Sequence, residues 1–459
     1  MDAEFYSRQN IQALKVLIEK KSFPITKLVD VSDGNHMSIS DYYCDSGGIP
    51  YYRGTDIYHF FIEQANRALK IEKRAFDVPN MRRSHLKKGD VLMSIVGAII
   101  GNLSLVTTNS DATCSCKLAI MRSKNIEPSF LAIYLKSYYG QNQIQKYKRG
   151  AAQTGLILED FEQILIPCFS SEFQVKVSEL INKIYEISKK DHSIYQQAEI
   201  LLFKTLGLDN FTPSTQSVNI KLFKDSFAAT GRLDAEYYQP KYEQILAHIK
   251  KQGCSTLSQL VDIKKSLEPG SDAYSDDNIG LPFLRVADYS KQGLIKPQKY
   301  LHDAFVNENK EKLDALKPKK DTILFSKDGS VGEAYCLQED ADFITSGAIL
   351  HLTVRNIKTL LPEYLTLVLN SKLIKMQSER DAGGSIILHW RVSEIESVIV
   401  PLVDIKIQTQ IADLVQQSFA LKKESEQLLE KAKQAVELAI EQGEDVAMDF
   451  LNDLTKRIS

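Results

Sequence analysis

The sequence predicts an α+β protein with two similar globular domains, separated by two long helices that pair antiparallel as a coiled coil about an internal pseudo-two-fold axis. Three observations predict this fold class: an internal repeat, short apolar runs that alternate with Gly- and Pro-rich turns, and two long heptad patterns. The length of 459 residues allows two or three domains that each bury a core.

The repeat is the strongest of the three observations. Motifs near the start of the chain recur 232 residues later, and the offset changes only to 234 further along. A chance similarity would not keep one offset over about ninety residues, so the chain contains two copies of one fold. The matching pairs are Asp2–Tyr6 with Asp234–Tyr238, Leu28–Val31 with Leu260–Ile263, Pro50–Asp56 with Pro282–Asp288, Lys88–Ser94 with Lys320–Ser326, and Ile166–Pro167 with Val400–Pro401.

Each copy divides into a globular part and a helix. Val91–Ile95 and Thr322–Ser326 are predicted strands, with Gly97 and Gly329 shortly after them. Short helices are predicted at Phe60–Lys73, Pro128–Tyr139 and Pro362–Gln377. The predicted segments are a first globular domain at 1–168, a first long helix at 169–206, a connector at 207–232, a second globular domain at 233–402, a second long helix at 403–443 and an acidic C-terminal tail at 444–459.

The two long helices show apolar residues at alternating steps of four and three, with a polar break at Asp191 in the first and at Ser418 and Ser425 in the second. This 3.5-residue spacing is typical of a coiled coil. Packing of each helix on its own domain remains an alternative. The predicted helix-pairing or partner-binding positions are Val177, Leu180, Ile184, Ile187, Ile194, Ile411, Leu414, Leu421 and Leu428.

Several classes of protein are disfavoured. No apolar run is long enough to span a membrane, and Met1–Glu4 does not resemble the start of a signal peptide. Six irregularly spaced cysteines indicate a reducing cytoplasm rather than a disulfide framework. The sequence has no P-loop, and Cys114-Ser115-Cys116 has no second ligand pair for zinc. We therefore predict a cytoplasmic protein with no catalytic residues, no metal site and no membrane partner.

The net charge of −2 conceals basic and acidic segments. Basic stretches with interleaved aromatic residues suit DNA phosphate contacts, although a solvated surface is the usual role of such charges. For Arg285, a structural ion pair with Asp288 is an equal alternative, and Trp390 beside Arg391 is favoured as a core residue. The predicted DNA-binding residues are Arg67, Lys70, Lys73, Arg74, Arg82, Arg83, Lys87, Lys88, Lys146, Lys148 and Arg149 in the first domain, and Arg285, Lys317, Lys319, Lys320, Lys327 and Arg391 in the second.

Acidic residues dominate the end of the second long helix. Residues 424–453 carry nine Asp and Glu against Lys431 and Lys433. Such a surface repels DNA, so it favours either a protein partner or a merely soluble helix.

Short motifs mark the domain-to-helix boundary, a strand and the connector. They are Gly150-x-x-Gln153-Thr154, Ile164-x-Ile166-Pro167 and Gln174, the strand motif Lys88-Gly89-Asp90-Val91-Leu92-x-Ser94-x-x-Gly97, and Arg232-x-Asp234-Ala235-Glu236-Tyr237-Tyr238-x-Pro240. With the order domain, helix, domain, helix, these motifs resemble the specificity subunit of type I restriction–modification enzymes. The second copy departs from the pattern, with Ile386-Ile387 for Gln-Thr and Asp321 for Gly89.

The resemblance implies that each globular domain is a target recognition domain, which reads one half of a bipartite site in double-stranded DNA. It implies that the paired helices dock two modification subunits and that restriction subunits complete the complex. No cofactor is expected in this chain, since S-adenosylmethionine would bind the modification subunits, and ATP with Mg²⁺ the restriction subunits. Because the two copies differ at most positions, the target is expected to be asymmetric.

Three alternatives stay open. The chain could be the specificity chain of another bipartite restriction–modification system with differently arranged partners. A coiled-coil adaptor that does not bind DNA is less favoured, because the basic segments argue against it. A nuclease or methyltransferase that acts alone is least favoured, because its motifs are missing.

Overall fold

The computed structural model describes residues 8–44, 47–65, 68–150, 154–216, 218–251, 253–275, 279–384 and 387–458. These residues divide into two compact units. Unit 1 contains the chain up to Ser188 and from Lys423 onward, and unit 2 contains Lys189–Lys422. Helices and strands occur in both units, so the predicted α+β class is confirmed.

Unit 1 contains three small sheets. Its strands are β1 (Ser22–Pro24), β2 (Val29–Asp33), β3 (Ile49–Tyr52), β4 (Leu69–Ile71), β5 (Val91–Ser94), β6 (Leu103–Leu105), β7 (Thr113–Cys114), β8 (Leu118–Ser123) and β9 (Leu165–Pro167). The largest sheet is antiparallel with the order β2-β8-β5-β6, the second has the order β4-β3-β7, and β1 pairs with β9. Strand β5 is buried along its whole length, as its apolar sequence predicts.

Unit 2 repeats this topology. Its strands are β10 (Cys254–Thr256), β11 (Val261–Lys265), β12 (Leu281–Leu284), β13 (Tyr289–Ser290), β14 (Gly293–Leu294), β15 (Lys299–Leu301), β16 (Ile323–Ser326), β17 (Ala334–Cys336), β18 (Ile344–Thr345), β19 (Ile349–Val354) and β20 (Ile399–Pro401). The sheets β11-β19-β16-β17, β15-β12-β18 and β10-β20 match those of unit 1, and a β13-β14 hairpin is added. The parallel pair of β3 with β7 recurs as β12 with β18. The two units are therefore copies of one fold.

Helices surround these sheets and form the long segments. They are α1 (Arg8–Glu19), α2 (Lys73–Phe76), α3 (Pro128–Lys136), α4 (Tyr138–Tyr147), α5 (Ser171–Thr205), α6 (Phe227–Thr230), α7 (Pro240–Lys251), α8 (Leu257–Leu260), α9 (Asp303–Glu308), α10 (Lys310–Leu316), α11 (Pro362–Asn370), α12 (Lys372–Asp381), α13 (Val392–Glu396), α14 (Ile405–Glu441) and α15 (Glu444–Ile458). Helices α3 and α11 both begin at a proline, which suits the first helical position because its missing N–H has no helical partner. None of the helices, as far as the structure describes them, has the length and apolar character of a membrane span.

The helix predicted at Phe60–Lys73 is wrong at the described positions. Ile62–Gln64 forms one 3-10 turn, and Leu69–Ile71 is strand β4, paired with β3. Phe60 and Phe61 are buried against the main core of unit 1. This tertiary burial, rather than a helical period, accounts for the apolar run.

The two long helices, α5 and α14, each contribute one part to each unit. In unit 1, Phe173 and Ile184 of α5 share a core with Leu428 and Ile440 of α14. The N–H of Ser170, just before α5, donates to the carboxylate of Glu444, just after α14, at 3.0 Å, so the helices run antiparallel there. In unit 2, the last turns of α5 share a core with the first turns of α14.

The segment predicted as an acidic tail is a helix. Ala447 and Leu451 of α15 are buried in the core of unit 1, so this segment is a packed part of the unit. The connector contains the short helix α6, and its Arg232 forms an ion pair with Asp234 and donates to the Asp381 carbonyl at the end of α12. These contacts attach the connector to unit 2.

Candidate nucleic-acid interface

In unit 1, the turn after β5 contacts the loop that precedes the long helix. The N–H of Gly97 donates to the carbonyl of Thr154 at 2.9 Å, and the N–H of Leu156 donates to the carbonyl of Ile95 at 2.9 Å. Gly97 has a φ of 82°, a conformation that a side chain would strain. Two motifs that are distant in the sequence, and that carry the family resemblance, therefore meet at one place. This contact was not predicted from the sequence.

Unit 2 builds the same junction from different residues. The N–H of Gly329 donates to the carbonyl of Leu388 at 2.9 Å, and the N–H of Trp390 donates to the carbonyl of Lys327 at 2.7 Å. Trp390 is 1% exposed, and its ring centroid lies 5.8 Å from that of Phe325. Core packing of Trp390, the favoured prediction, is confirmed.

Charged side chains lie beside this junction in unit 2. Lys327 and His389 both pair with Asp328, the imidazole at 2.9 Å. The side chain of Lys327 is only 16% exposed, so the structure argues against the predicted phosphate contact of this lysine. Arg391 is exposed and has no acidic side-chain partner in the described part of unit 2. His389 and Arg391 thus remain as polar groups open to a ligand.

The basic residues predicted near the start of unit 1 lie on the segment from Leu69 to Lys88, which leads from β4 towards β5. Ser84 Oγ lies 2.7 Å from Thr113 Oγ1 of β7, and the His85 ring stacks on Phe76 at 3.7 Å. These contacts hold the segment against the three-stranded sheet. Arg67 lies outside the described residues. The exposed cations of the segment are Lys70, Lys73, Arg74, Arg82, Arg83, Lys87 and Lys88.

Some of these cations are neutralised by neighbouring carboxylates. The ion pairs are Lys73 with Asp77 and Asp111, Arg74 with Glu72, and Arg83 with Asp33. Of the cations in this segment, Lys70, Arg82, Lys87 and Lys88 have no ion pair with any described residue. These four unpaired cations are the best placed to contact phosphates, because an exposed cation without an ion pair loses no existing partner on binding.

The second predicted basic segment of unit 1 consists of Lys146, Lys148 and Arg149, and it is not exposed to solvent as a whole. Lys146 is 8% exposed, and burial lowers its pKa, which disfavours the charged form. The structure therefore argues against a phosphate contact by Lys146. Lys148 is half-buried, and Arg149 is ion-paired with the buried Asp160.

The acidic end of α14 covers part of this segment. The N–H of Tyr138 donates to Glu437 at 2.7 Å, and the Tyr139 hydroxyl donates to Glu441 at 3.1 Å. Burial lowers the pKa of Lys136, while the nearby Glu430 acts in the opposite direction. Glu437 and Glu441 therefore have hydrogen-bond partners inside unit 1.

Arg53 and Arg285 occupy equivalent positions and have the same structural role. Each ion-pairs with an aspartate three residues later, at 3.3 Å to Asp56 and at 3.2 Å to Asp288. The backbone N–H of each arginine also donates to that carboxylate, which closes a 3-10 turn after β3 and β12. For Arg285, the structure thus contains the ion pair with Asp288 that was the alternative to a DNA contact.

The predicted lysines of unit 2 lie mostly beside carboxylates. Lys317 ion-pairs with Asp314 at 2.9 Å and Lys319 with Asp340 at 3.1 Å. The side-chain hydrogen bond from Lys317 lowers the pKa of Asp314, and the backbone N–H of Lys320 lowers the pKa of Asp340. Lys320 is exposed.

The predicted helix-pairing positions face the interior of their units. In unit 1, the buried positions are Val177, Leu180, Ile184 and Leu428, and Ile187 packs against this core. In unit 2, the buried positions are Ile194 and Ile411, and the half-buried ones are Leu414 and Leu421. The polar breaks of the two heptad patterns meet in unit 2, where the Ser418 hydroxyl donates to Asp191. A polar pair of this kind fixes the register of a coiled coil.

Residues 252–434 match the family model described as "Type I restriction modification DNA specificity domain". Along this segment, the chain is similar to that family. The predicted resemblance is thus confirmed, and unit 1 repeats the strand pairing of the specificity domain in unit 2.

Individual relatives were also found. The type I restriction enzyme EcoBI specificity subunit of Escherichia coli is 28% identical over 155 residues, which are 33% of this chain and 31% of that protein. The match thus spans about a third of that relative. Among solved structures, the type I restriction–modification S subunit from M. genitalium is 14% identical, with 94% of this chain and 95% of that chain covered and a TM-score of 0.36. The HsdS subunit from Thermoanaerobacter tengcongensis is 17% identical, with 92% and 97% covered and a TM-score of 0.30.

In both units, polar residues that sequence reasoning missed hold the backbone together. Gln377 of α12 bonds both the N–H and the carbonyl of Ile399, and Gln143 does the same for Leu165 in unit 1. The shared offset of 234 could have revealed this pair. The described residues contain no group of three or more His, Cys, Asp or Glu arranged to hold a metal ion.

Proposed function

We propose that this chain is the DNA sequence-recognition subunit of a type I restriction–modification complex. The observation that carries the proposal is the family match of residues 252–434, taken with the recurrence of the same strand pairing in unit 1. Two recognition units in one chain suit a bipartite DNA site, with one half read by each unit.

The surfaces of the two units support an asymmetric target. Beside the junction that both units share, unit 2 exposes His389 and Arg391, whereas unit 1 has Gly155 and Ile157 in the corresponding loop. Base edges are read by hydrogen-bonding and apolar side chains that reach into a groove. Different side chains at one place in the fold would read different bases.

The chain would bind and position rather than catalyse. Two modification subunits would dock on the helices α5 and α14 and carry S-adenosylmethionine, and restriction subunits would supply the ATP- and Mg²⁺-dependent steps. A modification subunit has to extrude the target base from the duplex, and a firmly held recognition subunit would fix which base is reached. The lack of a P-loop in the sequence fits this division of roles.

Methylome sequencing tests the proposal directly. A host strain would carry the modification subunit either with this chain or without it. A methylated motif with two unequal halves is expected only when this chain is present. Methylation that is the same in both strains would contradict the proposal. A chain that binds no DNA, as the adaptor alternative expects, would contradict it as well.

A substitution in unit 2 sharpens this test. The double change His389→Ala and Arg391→Ala removes two exposed side chains and should relax or alter one half of the motif only, because unit 1 is untouched. Ser214→Ala in the connector is the matched control and should leave both halves unchanged. A simultaneous change in both halves would argue against one half per unit.

A further inference from the structure

Two equivalent segments of the units differ in charge. The segment 69–88 runs from β4 towards β5, and the segment 299–320 runs from β15 towards β16. Their first strands have the same neighbours, since β4 pairs with β3 as β15 pairs with β12. The two segments therefore occupy the same place in one fold and can be compared directly.

The segment of unit 1 is the more basic. It carries seven Lys and Arg against two Asp and Glu, whereas 299–320 carries six against four. The larger parts of the chain show the same difference, because residues 1–168 contain 21 Lys and Arg against 17 Asp and Glu, and residues 233–402 contain 21 against 24. The electrostatic attraction of a polyanion is set by such net charge, so it favours unit 1.

In the part of the chain that the structure describes, ion pairing leaves four cations unpaired in each segment, so the difference between the segments lies in the carboxylates that surround these cations. Lys70, Arg82, Lys87 and Lys88 are exposed without an ion pair in the described chain. In the other segment, Lys317 and Lys319 are ion-paired. The remaining lysines of 299–320 have no ion pair among the described residues, but the same segment carries further carboxylates on α9 and α10. These lysines are Lys299, Lys310, Lys312 and Lys320, and the carboxylates are Asp303, Glu308 and Glu311.

The cations of unit 1 are held on an ordered backbone. Ser84 is bonded to Thr113, and Leu86 N–H donates to the Ala112 carbonyl at 2.9 Å. Arg122, which is itself bonded to the buried Asp90, donates to the His85 carbonyl at 3.2 Å. Binding therefore does not have to order this part of the backbone first.

We infer that the segment 69–88 of unit 1 is the main phosphate-binding surface of the chain, and that unit 2 reads its half-site with little charge neutralisation. The ligand is double-stranded DNA, so this inference rests on the proposed function. Each phosphate neutralised by a protein cation releases counterions, and this makes the logarithm of the binding constant fall with the logarithm of the salt concentration. The salt dependence of binding should therefore depend on unit 1.

The experiment compares two matched sets of substitutions in the full-length chain together with its modification subunits. The first set is Lys70→Gln, Arg82→Gln, Lys87→Gln and Lys88→Gln. The second set is Lys310→Gln, Lys312→Gln, Lys319→Gln and Lys320→Gln. Both sets remove four exposed cations, so an unequal effect cannot come from the change in total charge. Binding to a fluorescent duplex that contains the methylated motif is measured by anisotropy from about 50 to 200 mM salt, the range over which phosphate contacts weaken strongly.

The first set should weaken binding by on the order of 100-fold or more at low salt and lower the salt slope by up to about 3.6, at roughly 0.9 for each of the four phosphate contacts. The second set should lower the slope by less than about one. Equal losses from the two sets, or a larger loss from the second, would overturn the inference while leaving the proposed function intact. Wild-type complex without salt-dependent DNA binding would overturn both. Circular dichroism melting checks that each variant is folded.

A variant that is expected to gain DNA binding excludes the explanation that substitutions act only by damaging the fold. Asp314→Asn and Asp340→Asn remove the carboxylates that pair with Lys317 and Lys319. If ion pairing keeps unit 2 from phosphates, this change should raise the salt slope by up to about two. An unchanged slope would contradict the part of the inference that concerns unit 2.

Discussion

Units 1 and 2 differ in charge but share the polar contacts that hold their backbones. The amide of Gln143 accepts from Leu165 N–H at 2.7 Å and donates to its carbonyl at 3.0 Å. In unit 2, Gln377 makes the same two bonds to Ile399, at 2.8 and 2.9 Å. Leu165 and Ile399 lie on short strands, and each glutamine bonds backbone groups that the strand pairing leaves open, which explains why both copies contain a glutamine here.

A second glutamine pair repeats in the same way. Gln174 accepts from the Glu127 N–H at the start of α3, and Gln408 accepts from the Leu361 N–H at the start of α11, both at 3.1 Å. The first N–H groups of a helix have no helical partner, so these side chains satisfy them. The comparison teaches that residues which complete backbone hydrogen bonds are shared by the copies, whereas residues which only face solvent have diverged.

Core side chains have diverged as well. His351 of β19 is 4% exposed and lies 2.8 Å from the Thr345 hydroxyl. The equivalent residues of unit 1 are Ile120 and Cys114, which both belong to an apolar cluster. Unit 2 therefore contains a buried titratable group at a place where unit 1 is apolar.

This difference predicts unequal acid stability, the largest effect expected here. Burial lowers the pKa of His351 from 6.5 to about 4. Because the unfolded chain takes up the proton near pH 6.5 and the folded unit does not, stability present above pH 6.5 is lost as the pH falls towards 4, up to about 3 kcal/mol. Hydrogen exchange of β16 and β19, corrected for intrinsic rates, should show this loss, and β5 and β8 of unit 1 should not show this contribution.

The control for this prediction copies unit 1 into unit 2. The double variant Thr345→Cys and His351→Ile replaces the polar pair with the residues found in the other copy, so the extra acid sensitivity of β16 and β19 should disappear. If the double variant still loses protection between pH 6.5 and 4 as the wild type does, His351 is not the cause.

The glutamine pair predicts the next largest effect. Gln377→Met should destabilise unit 2 by about 2 kcal/mol, because both backbone groups of Ile399 lose their partner. Gln143→Met should cost unit 1 less, since the Tyr134 hydroxyl also donates to the Leu165 carbonyl and keeps it satisfied. Urea unfolding followed by hydrogen exchange in each unit measures the two losses.

A further change tests the proposed role of the tyrosine. The double variant Gln143→Met and Tyr134→Phe removes both donors to the Leu165 carbonyl, and its cost should approach that of Gln377→Met. If Gln143→Met alone is already as costly as Gln377→Met, the hydroxyl contributes nothing to the difference between the units.

Features that depend on the order of residues along the chain were predictable from the sequence. The offset of 232 predicted two copies, and the heptads predicted helices that the structure places at Ser171–Thr205 and Ile405–Glu441. The prediction of a helix at Phe60–Lys73 was wrong because its apolar residues are buried by contacts across the unit. Local periodicity does not report such contacts.

The charged surface was harder to predict because pairing joins residues that are distant in the sequence. Arg83 pairs with Asp33, and Lys319 pairs with Asp340. Lys146 is buried although its neighbours Lys148 and Arg149 are more exposed. A count of basic residues finds such cations but does not show which of them are free for phosphate, since that depends on tertiary packing.

The smallest expected effect concerns one turn that both units share. Gly89 and Asp321 precede β5 and β16 and have positive φ values of 91° and 64°. Glycine adopts this conformation freely, whereas an aspartate there is strained. Gly89→Ala should therefore destabilise unit 1 by about 1 kcal/mol, also because the new methyl group would lie 3.2 Å from Pro128 Cγ. Asp321→Gly should be neutral or stabilise unit 2 by up to about 1 kcal/mol. Chemical denaturation of each variant measures these changes, and a destabilising Asp321→Gly would show that the carboxylate contributes more than its backbone strain costs.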